Sequence, residues 1–246
     1  GLLGITGTNG KTTTSYLVEN ILAAADAVPG VIGTVNYRWP GFVGDAPYTT
    51  PTPETLHTAL AQMVNHRVTH GVMEVTSAAL SMHRVAGMQF LVAGFSNLTQ
   101  DHLDLHGTME AYGQAKQLLF SQYLAANGTA VINVDDPAGD SMVAAVAPGR
   151  RVLRVSSADA PTRDSQRQAE IRVTWCESTV RGIRATVRTP RGDVQLEAKP
   201  LIGAYNVANL ALAVGMAEAL GIDHRAIERG IANLTGVPGR VERVSN

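Results

Sequence analysis

The chain has 246 residues, 45% of them hydrophobic, and a formal net charge of −1; this length supports one large domain, and the near-neutral charge gives no global reason to bind nucleic acid or an anionic membrane. No uncharged apolar run is long enough to span a bilayer, so no membrane insertion is expected. The single cysteine, Cys176, excludes an internal disulfide and fits a reducing, cytoplasmic setting.

The chain opens on an apolar run, Leu2-Leu3-Gly4-Ile5, that leads into Thr6-Gly7-Thr8-Asn9-Gly10-Lys11-Thr12-Thr13 and then into an amphipathic stretch. That order predicts strand, glycine-rich turn and helix. Such a turn suits a polyphosphate, because glycines let backbone N–H groups converge on phosphate oxygens and the helix N-terminus adds favourable dipole charge. Lys11 can reach the terminal phosphates, and the Thr12 hydroxyl can hold Mg²⁺. The general nucleotide loop carries a glycine five positions before its Gly-Lys pair, where this chain has Ile5. The start inside a strand, without a signal pattern, and an ending with no closing element predict one domain of a longer protein.

A turn at Pro29-Gly30 precedes a short β-rich run over 31–35, and residues 36–48, rich in glycine, proline and aromatics, read as a loop over a site. Thr52 as N-cap and Pro53 at the first helical position start a helix with Leu56, Leu60, Met63 and Val64 on one stripe. A strand over 71–75 is followed by a short helical piece from Thr76, and a nearly all-apolar strand covers 90–95. The clearest helix runs from 108 to about 126, then a strand over 129–134, a helix opened by Asp136-Pro137 and a strand over 151–155. This alternation predicts an α/β fold with a doubly wound, mainly parallel sheet and a P-loop. Strand-like runs without helices over 171–175, 182–189 and 193–198 predict a small antiparallel sheet within about 156–200. Gly203 precedes a further helix, Asp223 caps a last one, and 237–246 reads as the start of a linker. We therefore expect one domain over 1–246.

Four groups of residues could carry chemistry. Glu74 ends a strand that should lie beside the nucleotide-loop strand, at the edge where open α/β sheets place ligands, so it is either a Mg²⁺ ligand or a solvated strand-end acid. If the polar stretch 97–107 is extended, His102, Asp104 and His106 share one face, able to bind metal or move protons; it could also be a bland loop. Lys116 sits on the apolar stripe of its helix, four residues after Tyr112. Its stem could simply cover its neighbours, or burial could lower its pKa and leave a neutral amine able to form a carbamate with CO₂. Thr49, Thr50, Thr76 and Arg84 offer hydroxyls and one guanidinium near the same edge, and Asn206 and Asn209 could read a base edge or could cap and pack.

Together these pieces resemble the central ATP-binding domain of the Mur ligases, which build the bacterial cell-wall peptide. The resemblance is carried by Thr6 to Thr13, by Asn97-Leu98-Thr99-Gln100-Asp101-His102-Leu103-Asp104, and by Gly203-Ala204-Tyr205-Asn206-Val207-Ala208-Asn209, and it runs nearly end to end. Thr49-Thr50-Pro51, Met73-Glu74-Val75-Thr76-Ser77 with His83-Arg84, and Asp101 to Tyr112 with Lys116 are most similar to ligases that add the third residue to UDP-N-acetylmuramoyl-L-alanyl-D-glutamate. The resemblance implies ATP and Mg²⁺, with Gly7, Thr8, Asn9, Gly10, Lys11, Thr12 and Thr13 on the phosphates, Asn206 at adenine and Arg240 reaching the nucleotide. It implies Thr12 and Glu74 on one Mg²⁺, and His102 and a carbamylated Lys116 on a second, with Lys11, Glu74, His102 and Lys116 the catalytic set. Thr49, Thr50, Thr76 and Arg84 would hold the UDP-muramoyl dipeptide. Tyr48 and Met82 stand among these contacts where asparagine and glutamine are expected, and Ala78 replaces a histidine. The implied partners are that dipeptide, diaminopimelate or lysine, and N- and C-terminal domains of a longer enzyme. Another Mur ligase, a folylpolyglutamate synthase-type ligase and a nucleotide-binding module without catalysis are the alternatives.

Overall fold

The computed structural model describes residues 1–158 and 164–239. In chain order the elements are β1 (Leu2–Thr6), α1 (Lys11–Ala24), β2 (Pro29–Ile32), β3 (Tyr37–Trp39), β4 (Phe42–Gly44), α2 (Pro53–Asn65) and β5 (His70–Glu74). Next come α3 (Ser77–Ser81), β6 (Phe90–Phe95), α4 (Leu103–His106), α5 (Met109–Ser121), β7 (Leu124–Asn133), α6 (Gly139–Ala145) and β8 (Arg151–Ser156). Last are α7 (Asp164–Arg167), β9 (Ile171–Thr179), β10 (Gly182–Thr189), β11 (Gly192–Ala198), α8 (Ala204–Ala219) and α9 (His224–Ala232).

The strands form one sheet in the order β11-β10-β9-β8-β7-β6-β1-β5-β2-β3-β4. From β2 to β9 neighbours run parallel, and both ends are antiparallel. The central strands are buried on both faces, which is why they read as apolar runs rather than alternating ones. One face is covered by α1, α8 and α9, through Leu17, Ile21, Leu210, Val214, Ile227 and Ile231. The other is covered by α2 and α5, through Leu56, Met63, Leu119 and Phe120. At Gly230 a Cβ would lie 2.4 Å from the Ile21 Cα, so the side-chain-free position sets how closely α9 approaches α1.

Several boundaries differ from the expected ones. The stretch 36–48 is not simply a loop: β3 and β4 form a hairpin in which Trp39 stacks on Phe42 at 4.2 Å and Gly41 turns with φ 79°. Helix α5 stops at Ser121, not near 126, because Leu124 is fully buried and pairs with Phe90 to begin β7. Tertiary pairing there overrides the helix propensity of Ala125 and Ala126. The antiparallel strands of the 171–198 region are present, and they continue the main sheet, with β9 lying parallel to β8. Leu103–His106 is helical and His102 before it takes a φ of 51°, so the stretch is not extended and its two histidines do not share a strand face.

Candidate nucleotide site

Strand β1 ends at the carboxyl edge of the sheet, and the loop after it turns straight into α1. Gly10 takes φ 87°, and a Cβ there would lie 2.2 Å from Asn209 Oδ1, so only glycine brings the loop this close to α8. A second chain segment holds the loop in shape. The Thr8 amide donates to the Asn97 carbonyl at 2.8 Å, and the Asn9 amide to Asn97 Oδ1 at 2.9 Å. Ser96 Oγ donates to the Asn9 carbonyl. Lys11 curls over the loop, donating to the Gly7 and Thr8 carbonyls at 2.7 and 2.9 Å.

Above the loop lies a cavity of about 670 Å³ lined by Thr8, Asn9, Gly10, Lys11, Thr12, Thr13, Glu74 and Asn206, all anticipated from the sequence. Gly7 lies just behind it at φ 144°. Asn209, expected alongside Asn206, lines it too; Thr34, Asn97, Thr99, Tyr205 and Gly239 complete the wall and were not anticipated as site residues. The positions of Asn97, Thr99 and Tyr205 inside the two family-like blocks were the available signal; Thr34 gave none beyond following a strand. Arg240 lies outside the described residues. Asn206 is buried, its amide donating to the Ile202 carbonyl at 2.9 Å and its oxygen accepting from Asn209 at 3.1 Å, while the Tyr205 side chain beside it is exposed.

Glu74 closes the floor of the cavity. It is 1% exposed, and its carboxylate accepts from Thr34 Oγ1 at 2.8 Å, the Thr34 amide at 3.0 Å and Thr12 Oγ1 at 3.1 Å. A Cβ on Gly33 would lie 2.4 Å from Glu74 Oε1, so Gly33 leaves the carboxylate its room. A buried carboxylate and a hydroxyl converging beside a phosphate-binding loop are hard oxygen donors that fit Mg²⁺.

Lys116 is 1% exposed on α5. Burial, reinforced by the charge of Lys11 and opposed by Asp101, lowers its amine from 10.5 to about 6. Its Nζ lies 4.3 Å from the centre of the Tyr112 ring, and the His102 ring approaches the same ring edge-on at 6.0 Å. His102 itself is exposed, at φ 51°, 3.6 Å from Asp101. Among the described residues no three His, Cys, Asp or Glu side chains converge as a metal cluster.

Of the remaining anticipated residues, Thr50 bonds directly to Glu74, and Thr76 and Arg84 bond to Thr50. Thr50 is buried and donates to the Glu74 carbonyl at 2.8 Å, while the Thr76 amide donates back to Thr50 Oγ1 at 3.0 Å. Thr49 Oγ1 is 3.1 Å from Thr34 Oγ1. Arg84 donates to the Thr50 carbonyl at 3.2 Å and lies over the exposed Tyr48 ring at 5.0 Å, with the Met82 sulfur 3.5 Å from its Nη2. Thr50 thus braces the edge, and Tyr48, Met82 and Arg84 present it.

A glycine-rich loop at the carboxyl edge of a parallel sheet, with a buried acid on the adjacent strand, defines a P-loop nucleotide-binding domain. The chain belongs to the Mur ligase family, whose Mur ligase middle domain profile matches residues 5–217. It is 48% identical over 244 residues to a UDP-N-acetylmuramoyl-L-alanyl-D-glutamate–2,6-diaminopimelate ligase of Gloeobacter violaceus, covering 99% of this chain and 47% of that protein. A ligase of the same name from Geobacter metallireducens is 42% identical, covering 100% of this chain and 47% of the relative. A solved structure of such a diaminopimelate ligase superposes with TM-score 0.86 at 30% identity, over 100% of this chain and 48% of the other. The FPGS–AMPPCP complex shares the fold, with TM-score 0.71 at 19% identity over 100% of this chain and 66% of the other. The chain therefore spans about half the length of the curated relatives it matches. Among the described residues no helix is long and apolar enough to cross a membrane.

Proposed function

We propose that this chain is the ATP-binding middle domain of a longer cytoplasmic ligase of peptidoglycan precursor synthesis, which adds the third residue to UDP-N-acetylmuramoyl-L-alanyl-D-glutamate. The observation that carries this is the meeting, at one sheet edge, of the stapled phosphate loop, the buried Glu74 and the neutral-prone Lys116. The names of the relatives support diaminopimelate as the added amino acid.

In this reading the γ-phosphoryl of ATP passes to the D-glutamyl carboxylate, giving an acyl phosphate and ADP. The amine of the incoming amino acid then displaces phosphate and forms the amide. Residues 7–13 cradle the ATP phosphates, with the amides at the start of α1 as donors because those of Thr8 and Asn9 hold Asn97, and Lys11 leaves its two carbonyl partners to meet the terminal phosphate. Thr12 and Glu74 would hold one Mg²⁺, which when bound neutralises charge on the transferring phosphoryl group. Lys116, once its neutral amine has added to CO₂ and released a proton to water, offers carbamate oxygens that would hold a second cation with His102. Tyr205, Asn206 and Asn209 wall the base end, and a role for Arg240 at the nucleotide rests on the family resemblance alone. Thr49, Thr76 and Arg84, with Tyr48 and Met82, receive the muramoyl dipeptide, whose other end and whose amino-acid partner are held by the N- and C-terminal domains.

Phosphate release by the full-length enzyme tests the reading. It should require the UDP-muramoyl dipeptide, and Lys11→Ala should lower it at least about a hundredfold. Release that depends on a folate instead would favour the folylpolyglutamate-type alternative, and wild-type release by the variant would remove Lys11 from the site.

A further inference from the structure

We infer that Tyr112 is a positioning residue, tying the nucleotide loop to the wall that carries Lys116 and His102 and, through His106, to helix α3. The inference rests on the function proposed above. Tyr112 is fully buried on α5, and its hydroxyl lies 3.1 Å from Thr8 Oγ1 in the nucleotide loop. The Thr8 hydroxyl donates to the Thr99 carbonyl at 3.2 Å and accepts from the Thr99 amide at 3.0 Å. Its one hydrogen is thus used, so the phenol is the donor between the two. A buried phenol must find a partner, and this one finds it in the loop rather than in its own helix.

The ring of the same residue is a platform for three further groups. Lys116 Nζ sits over it at 4.3 Å, His106 stacks on it at 5.1 Å and 29°, and His102 meets it edge-on. His106 Nε2 then lies 3.0 Å from Ser77 Oγ, at the first residue of α3, directly after Thr76. One side chain therefore touches the phosphate loop and the Lys116 and His102 wall, and reaches the dipeptide side through a single histidine. Phosphoryl transfer depends on holding such groups at fixed separations, so a rigid, doubly anchored ring between them is a spacer for the reaction. Packing alone would be satisfied by phenylalanine; the hydroxyl aimed at Thr8 is what packing does not require.

The test uses the full-length protein with two substitutions and three readouts. Tyr112→Phe keeps the ring and removes the hydroxyl, and Tyr112→Leu removes both. We expect Tyr112→Phe to weaken calorimetric binding of a non-hydrolysable ATP analogue about fivefold. Its ¹³C NMR carbamate signal under ¹³C-bicarbonate should persist, and its Tm should stay within a few degrees of wild type. In Tyr112→Leu the carbamate signal should be lost as well. Wild-type analogue affinity in Tyr112→Phe, or an intact carbamate in a folded Tyr112→Leu, overturns the inference. If Tyr112→Leu does not fold, the Tyr112→Phe affinity decides alone. Wild-type protein that binds neither the analogue nor CO₂ would instead overturn the proposed function, and the positioning role with it.

Discussion

With the Lys116 amine lowered to about 6, the folded chain at neutral pH binds about one proton fewer at this group than the unfolded chain does. Unfolding takes up that proton, so this group makes stability rise with pH between about 6 and the ordinary value of 10.5, by up to about 1.4 kcal/mol per pH unit. In CO₂-free buffer Lys116→Met should lose that slope and be the more stable protein at pH 7. Urea unfolding at three pH values across the window checks this, and an unchanged slope would mean that the amine is not held neutral. The Lys116 position was legible from its place on an apolar helix stripe, but its full burial was not, because a long stem on that stripe can also reach water. Thr34 was missed because a threonine after a strand has no spacing signature; only the fold places its amide and hydroxyl on Glu74. Thr34→Val should raise the Mg²⁺ concentration needed for ATP turnover about tenfold, since outer partners of a ligating carboxylate fix its orientation. An unchanged Mg²⁺ titration would make Thr34 a bystander.

At the scale of elements, the strands and helices with strong periodicity or caps were legible. The Asp223 cap of α9 is made by the side chain that the sequence singles out, whereas Thr52 stands at the N-cap of α2 without a side-chain cap hydrogen bond, and the Thr108 cap of α5 was not singled out. What escaped was set by partners distant in sequence. The end of α5 is decided by Phe90 across the sheet, and the β3–β4 hairpin by the stacking of Trp39 on Phe42. Helices α8 and α9 are locked to the sheet by another such contact, in which Arg191 donates to Glu218 at 2.7 and 2.8 Å and to the Gly221 and Ile222 carbonyls. Burial would raise the Glu218 carboxyl, but the Arg191 hydrogen bonds outweigh it and hold the group below its usual 4.5. Its stabilisation is therefore complete above about pH 4.5 and lost as pH falls below. Arg191→Ala should cost about 3 kcal/mol at pH 7, because it strips a buried carboxylate of its main donor. That deficit should shrink in acid as the carboxylate protonates, and a deficit independent of pH would show that the ion pair is not its source.

For the whole molecule, alternating strands and helices gave the α/β class and the carboxyl edge as the place of the site. The pairing of the Glu74 strand with the nucleotide-loop strand was expected and is present, but the rest of the order was not legible: β6 flanks β1 on its other side, and the antiparallel strands extend the sheet rather than forming a second one. That order matters to function. It sets Glu74 on β5 beside the phosphate loop on β1, and the Asn97 segment after β6 on the loop's other flank. Half of each curated relative lies beyond the span matched here, so the substrates must be tested on the complete enzyme. Mass spectrometry of products formed from the UDP-muramoyl dipeptide, ATP, Mg²⁺ and either diaminopimelate or lysine tests the central claim most directly. The account predicts a UDP-muramoyl tripeptide, with one ADP and one phosphate per amide formed. ATP consumption without that tripeptide, with both amino acids supplied, would contradict it.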